Sequence, residues 1–158
     1  MDRAYVLYAK YLSDAANEEI SEESLDALYD ASQILTAYID EVDDIYYKVL
    51  FASVLKEMLE SNQFNMPDEL RGFKIKLYFD ILQWCAETNT IKDRFAPMIS
   101  NILIDFGSIL LKGIEVQKND NVAWVCFYLI KNMGYDVDFM LNKFEIGPNG
   151  QKRYIGTV

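Results

Sequence analysis

Along most of this chain apolar residues recur at intervals of three and four, the spacing of one helix face. Ala4 to Leu12 reads as a first helix, with Tyr5, Leu7, Tyr8 and Leu12 partly on one side. Ser13 to Glu23 is a polar connection in which Ser21 and Ser24 offer caps for a second helix. From Leu25 to Leu59 the stripe Leu28, Ala31, Leu35, Tyr38, Val42, Ile45, Tyr46, Val49 runs on without a gap. One helix of that length would span about 50 Å at helical rise, so a bend or break is expected near Tyr46–Leu50. Ser61 to Asp68 reads as a loop, with Pro67 placed to begin a turn or helix. The next helix, Arg71 to Thr88, puts Ile75, Tyr78, Phe79, Leu82 and Cys85 along one side and breaks at Thr88-Asn89-Thr90. Lys112 to Asn121 is polar, Val122 to Met133 is again apolar, and Gly134 stops it. Asp136 to Phe144 predicts a last short helix, and Gly147-Pro148-Asn149-Gly150 a turn. No period-two run flanked by hairpin turns is found, so the expected fold is all-α. One domain is expected over residues 1–144, followed by a polar tail, 145–158.

The segment Phe95 to Leu111 differs from the others. Phe95, Met98, Ile99, Ile102, Leu103, Ile104, Phe106, Ile109, Leu110 and Leu111 go most of the way round the helical wheel, interrupted by Ser100, Asn101, Asp105 and Ser108. A helix apolar on nearly all faces spans a membrane or is wrapped by other helices. With Asp105 inside it and Lys92, Asp93 and Arg94 just before it, this one reads as the central rod of a soluble helical bundle, with no transmembrane anchor.

Charge and composition narrow the chemistry. The 158 residues carry a formal charge of −10. Residues 1–60 hold 14 acidic and 4 basic side chains, whereas the remainder holds 11 of each. An acidic N-terminal third argues against nucleic acid as a partner, since phosphate contacts need cations. The chain has no histidine, hence no imidazole base, metal ligand or switch near neutral pH. Cys85 and Cys126, each among apolar residues, suit a reducing compartment, and a cytoplasmic location is expected. Asp40, Glu41, Asp43 and Asp44 lie within the helical stripe and lack the glycine turn of a calcium loop, so they read as a solvated face, and no metal or cofactor is expected. With no glycine-rich phosphate loop and no partner for a nucleophile, the chain is not expected to be an enzyme. What remains is a protein-binding surface. A bundle that wraps its central rod incompletely leaves an apolar trough for an amphipathic helix.

Three segments then resemble the Bcl-2 family of apoptosis regulators. Leu35-Thr36-Ala37-Tyr38-Ile39-Asp40-Glu41-Val42 is similar to its third homology region, with Ile39 where glycine is usual. Lys92-Asp93 leading into Ile102–Gly107 resembles the first homology region, whose apolar run ends in Phe-Gly, here Phe106-Gly107. Trp124-Val125-Cys126-Phe127-Tyr128-Leu129 is similar to the Trp-x-x-x-Tyr-Leu of the helix after the central one. Ala96-Pro97-Met98-Ile99 replaces the family's Asn-Trp-Gly-Arg, and Arg94 is the nearest cation. The short link between the first helices looks most like the compact Bcl-2 homologues of large DNA viruses.

The resemblance implies a Bcl-2-like helical bundle around a central hydrophobic helix. It implies a viral anti-apoptotic protein that sequesters the amphipathic helices of host pro-apoptotic Bcl-2 proteins. Val42, Tyr46, Val49 and Leu50 would form one wall of the groove and Phe106 its floor, with Phe95 and Met98 added from their place at the head of the central helix. Arg94 would meet the ligand's aspartate. A homodimer and peripheral placement at mitochondria through partners are both left open. Two other classes compete. One is an acidic inhibitor or immunity-type protein, using Glu18–Glu23 and Asp40–Asp44 against a basic partner. The other is a small helical-repeat adaptor scaffold of the translation-factor type, suggested by the KIKLYFDIL…LIKNMGYDVD rhythm and marked by parallel stacked helix pairs with no central rod, although no internal repeat of 30–45 residues is obvious, which counts against a solenoid.

Overall fold

The structure, a computed structural model, describes residues 1–157 and is mostly helical. It divides into two compact units, Met1–Lys74 and Ile75–Val158. In the first, α1 (Asp2–Ala16) packs against α2 (Glu22–Tyr38), and α2 packs against α3 (Ile45–Glu60). Ser21 caps α2 in a reciprocal capping box with Ser24, whose hydroxyl also donates to the Asp14 carboxylate and so ties α2 to α1. The interruption between α2 and α3 falls at residues 39–44, ahead of the expected Tyr46–Leu50. Asp44 decides this: its carboxylate accepts the Tyr46 N–H at 2.9 Å, satisfying one of the free donors that open α3. Asp40, Glu41 and Asp43 therefore lie in the connection and not along a helical stripe.

α3 is the helix buried on all sides. Val49, Leu50, Phe51, Ala52, Ser53, Val54 and Leu55 are consecutive and all buried. Its one polar interruption is internally satisfied, since the Ser53 hydroxyl donates to the Val49 carbonyl at 2.8 Å. Tyr47 closes the α2–α3 contact by donating its hydroxyl to the Leu35 carbonyl at 2.7 Å. A fourth helix, α4 (Asp68–Glu87), starts directly after Pro67 and carries the chain from the first unit into the second.

Beyond Lys74, α4 buries Ile75, Leu77, Tyr78, Ile81, Leu82 and Cys85. Phe79, expected on the same side, is 46% exposed, although its ring packs edge-to-face with Phe106, the ring centres 4.8 Å apart. A 3-10 turn (Asp93–Phe95) leads into α5 (Ala96–Lys112), which Gly113 ends in the left-handed conformation, φ 69°. α5 packs against α6 (Asp120–Asn132), and α6 against the short α7 (Asp138–Leu141). The all-round burial expected of α5 is corrected. Met98, Ile99, Ile102, Leu103, Phe106, Leu110 and Leu111 are buried, but Pro97, Asn101, Ile104 and Lys112 are exposed at helical spacing. Ile104 is 41% exposed, so one stripe of this apolar helix is surface.

The segment after Phe144 carries a two-stranded antiparallel hairpin, β1 (Phe144–Ile146) and β2 (Lys152–Tyr154), in the register Phe144 opposite Tyr154. The expected turn at 147–150 is the one that joins its strands. Strands of three residues are too short to print an alternating pattern, and a lone hairpin is marginal in water. This one is held from outside. Asp120 Oδ2 accepts the Tyr154 N–H at 2.8 Å, Asn121 Oδ1 accepts the Lys152 N–H at 2.7 Å, and the Phe144 ring packs between Phe127 and Tyr154.

Candidate interaction surfaces

The residues named for a peptide groove divide between the two units. In the first, Tyr46, Val49 and Leu50 lie on α3 and are buried, the last two completely, and Val42 is half-buried in the connection before it. In the second, Phe95 is buried in the 3-10 turn, while Met98 and Phe106 are buried on α5. The apolar surface of these six buried residues is thus covered by the protein itself. Arg94 is exposed, its guanidinium 4.9 Å from the centre of the Phe95 ring.

The Phe-Gly pair has a clear local role. The Phe106 ring packs with Tyr78 at 5.5 Å, and Gly107 faces α6 so closely that a Cβ there would lie 2.7 Å from Phe127 Cζ. Tyr78 donates its hydroxyl to Asp105 at 2.6 Å, which gives the polar residue inside the apolar run a partner on α4. The Trp-x-x-x-Tyr spacing on α6 stacks Trp124 on Tyr128 at 4.8 Å, with the Lys152 ammonium 4.7 Å from the Trp124 ring centre.

Electrostatics add little reactivity. Burial pushes the Cys85 and Cys126 thiols up to about 12, so both are protonated and poor nucleophiles at neutral pH. Desolvation raises Glu57, and burial together with the neighbouring Glu57 charge raises Tyr8, whose hydroxyl is bonded to Ser53. Among the described residues no group of three or more His, Cys, Asp or Glu side chains is placed to hold a metal ion.

The surfaces left open differ from those expected. Val6, Tyr29 and Tyr38 stand out from the first unit, and Tyr128, Phe139, Ile146 and Ile155 from the second, all above 40% exposed. Tyr38 is the clearest signal available from sequence, since it is the last stripe residue before the acidic break. Open cavities lie beside Tyr11, Ile20, Leu25 and Gln63 in the first unit, and between the ends of α4 and α6 in the second. The segment Asp93–Lys112 is long and apolar enough by composition to cross a membrane, and 61% of its most apolar window is buried within the protein. No family model, curated protein or solved structure matches this chain.

Proposed function

We propose that this chain is a non-enzymatic protein-interaction scaffold, a small helical-repeat adaptor of the translation-factor type. The observation that supports it is the exposed stripe Pro97, Asn101, Ile104, Lys112 on α5. That stripe gives α5 one covered and one open face, as a helix in a layered pair has, while α3 is covered all round as a core helix is. Within each unit the helices pack on their chain neighbours, α1 on α2 and α2 on α3, then α5 on α6, as units of helix pairs do. The abundance of exposed tyrosine and isoleucine offers contact area for a protein partner, and protonated thiols and the lack of histidine leave little for catalysis.

A second reading, sequestration of amphipathic pro-death helices by a viral Bcl-2 homologue, draws on one observation. The Phe106-Gly107 pair that carries the resemblance lies where α5 approaches Phe127 of α6 closely. A titration separates the two. Fluorescent peptides of pro-death helices are added to the full chain and to Leu50→Glu, with circular dichroism on both. The scaffold reading expects no saturable binding and a Leu50→Glu chain that loses helicity, because an unpaired charge enters a fully buried site. Saturable binding by the native chain, lost in a Leu50→Glu chain that is still folded, would overturn it in favour of the groove.

A further inference from the structure

We infer that the open cavity beside α1 and α2 in the first unit is a socket for one arginine side chain of a basic partner protein. The inference rests on the scaffold reading and gives that scaffold a specific contact. The cavity holds about 570 Å³, within the usual range of ligand clefts, and its lining lies wholly within Met1–Lys74. Three segments build it. Tyr11 comes from α1, Ile20, Glu22 and Leu25 from the start of α2 and the connection before it, and Gln63 from the turn after α3. The Ser61 hydroxyl accepts the Gln63 N–H at 3.2 Å and fixes that turn, while the Ser21–Ser24 capping box fixes the start of α2.

Charge commits the occupant, and it is local to this unit. Residues 1–74 hold 16 acidic and 6 basic side chains, whereas residues 75–158 hold 9 of each. From residue 11 to residue 47 there are 11 carboxylates and no lysine or arginine. Glu22 lines the cavity itself, and Glu18, Glu19 and Glu23 lie within four positions of it in the chain. The positive pole of α2 also falls here, but a helix end amounts to only about half a charge against those four carboxylates. Lys10 is already shared between Asp14 at 3.4 Å and Glu23 at 3.9 Å, and Lys56 pairs with Glu60 at 2.9 Å. Burial first, then the Glu57 and Glu60 carboxylates, hold the Tyr11 hydroxyl above its usual pKa, so negative potential reaches the cavity from α3 as well.

The lining also separates arginine from other occupants. Ile20, 50% exposed, and the half-buried Leu25 offer apolar surface to the carbon stem of a long cationic side chain. A guanidinium has five donors in a planar fork and stacks on aromatic rings, and Glu22, the Gln63 carboxamide oxygen and Tyr11 supply such partners in one cavity. A purely apolar anchor would cover the Glu22 carboxylate without pairing it. Phosphates and anionic headgroups would meet the same carboxylates, so nucleic acid and membrane surfaces are disfavoured.

The probes are two capped tripeptides of equal charge, acetyl-Lys-Arg-Lys-amide and acetyl-Lys-Lys-Lys-amide, titrated at low ionic strength into the 15N-labelled full chain. The arginine peptide is expected to shift amides at residues 11, 20–25 and 61–63 saturably, and the all-lysine peptide to bind about fivefold more weakly or worse. Glu22→Gln with Gln63→Ala, both at exposed positions, should weaken the arginine peptide about tenfold or more. Asp40→Asn removes one charge about 25 Å away, past the far end of α2, and should change that affinity by less than about twofold. Equal affinities for the two peptides, shifts that are absent from those segments, or equal losses in the Glu22 and Asp40 variants would overturn the socket. If this titration fails and death-helix peptides also fail to bind, the socket is lost and the scaffold stands. Saturable death-helix binding would remove the scaffold itself.

Discussion

Replacing Gly107 by alanine sets two known effects against each other, and the structure decides the sign. Glycine inside a helix is worse than alanine by about 1 kcal/mol, so on α5 taken alone the change would stabilise. Here the added Cβ would meet three atoms of the Phe127 ring, at 2.7, 3.0 and 3.2 Å. Ordinary carbon contacts sit at about 3.5–4.0 Å, so the ring would have to withdraw by about 1 Å. Phe127 has little room to do so, being 1% exposed and packed against Phe144 of the hairpin. Overpacking of this kind costs about 1–3 kcal/mol, and a tight contact with a held ring belongs in the upper half of that range. The net expectation for Gly107→Ala is a loss of about 1–2 kcal/mol, read as a lower urea midpoint at unchanged slope. Phe127→Leu in the same chain should recover about 1 kcal/mol of that loss, because it removes the atoms in the way. A Gly107→Ala chain as stable as the parent, or more so, would refute the reasoning, since helix propensity would then have outweighed the contact.

Other perturbations have equally definite expected outcomes. Asp120→Ala removes the acceptor of the Tyr154 N–H and should lower hydrogen-exchange protection at Arg153–Ile155 by about tenfold or more, leaving α5 amides unchanged. Burial works against the Asp120 carboxylate, but hydrogen bonds from Lys118 and the Tyr154 N–H hold its pKa below the usual range. The hairpin contact should therefore persist above the unfolded carboxylate pKa and weaken as pH falls through the folded one, which amide exchange across an acid series would track. Glu57 has the opposite sign. Desolvation raises its pKa, so its charge destabilises the fold increasingly as pH rises from below the unfolded value toward neutrality. Glu57→Gln should raise the melting temperature at pH 7, with the advantage vanishing in acid; an equal gain at both pH values would count against burial as the cause. Finally, Cys85 and Cys126 should resist iodoacetamide in the native chain at pH 8 and both react once urea unfolds it, as mass spectrometry would read.

Much of the helical framework is legible in the residues themselves. The Ser21 cap, the Thr88–Thr90 break and the stop at Gly134 are local chemistry, set by side chains within a turn of where they act. The break before α3 could have been read as well, since Asp44 is a good N-cap, but an unbroken apolar stripe masks it. The stripe continues because Val42 and Ile45 fall at helical spacing by number although they are not in one helix.

The hairpin was not legible in that way. Its strands are too short to make a pattern, and what holds them are Asp120 and Asn121, more than thirty residues earlier in the chain. The candidate site divides along the same line. The family resemblance marked Tyr46, Leu50 and Phe106 as groove surface, and a place at the head of the central helix marked Phe95, but neither says whether a surface is covered by the chain's own side chains or left for another protein.

By itself the sequence determined that most of the chain is helical, how acidic its N-terminal third is, and that it has no histidine. These depend on spacing, local capping and composition, which act within a few residues. Only the tertiary structure decided that α3, and not α5, is buried on every side, and that Ile104 faces solvent. It also decided that two asparagines 43 positions apart line one cavity. Which face of an apolar helix is covered depends on the elements packed against it, and helical spacing carries no record of them.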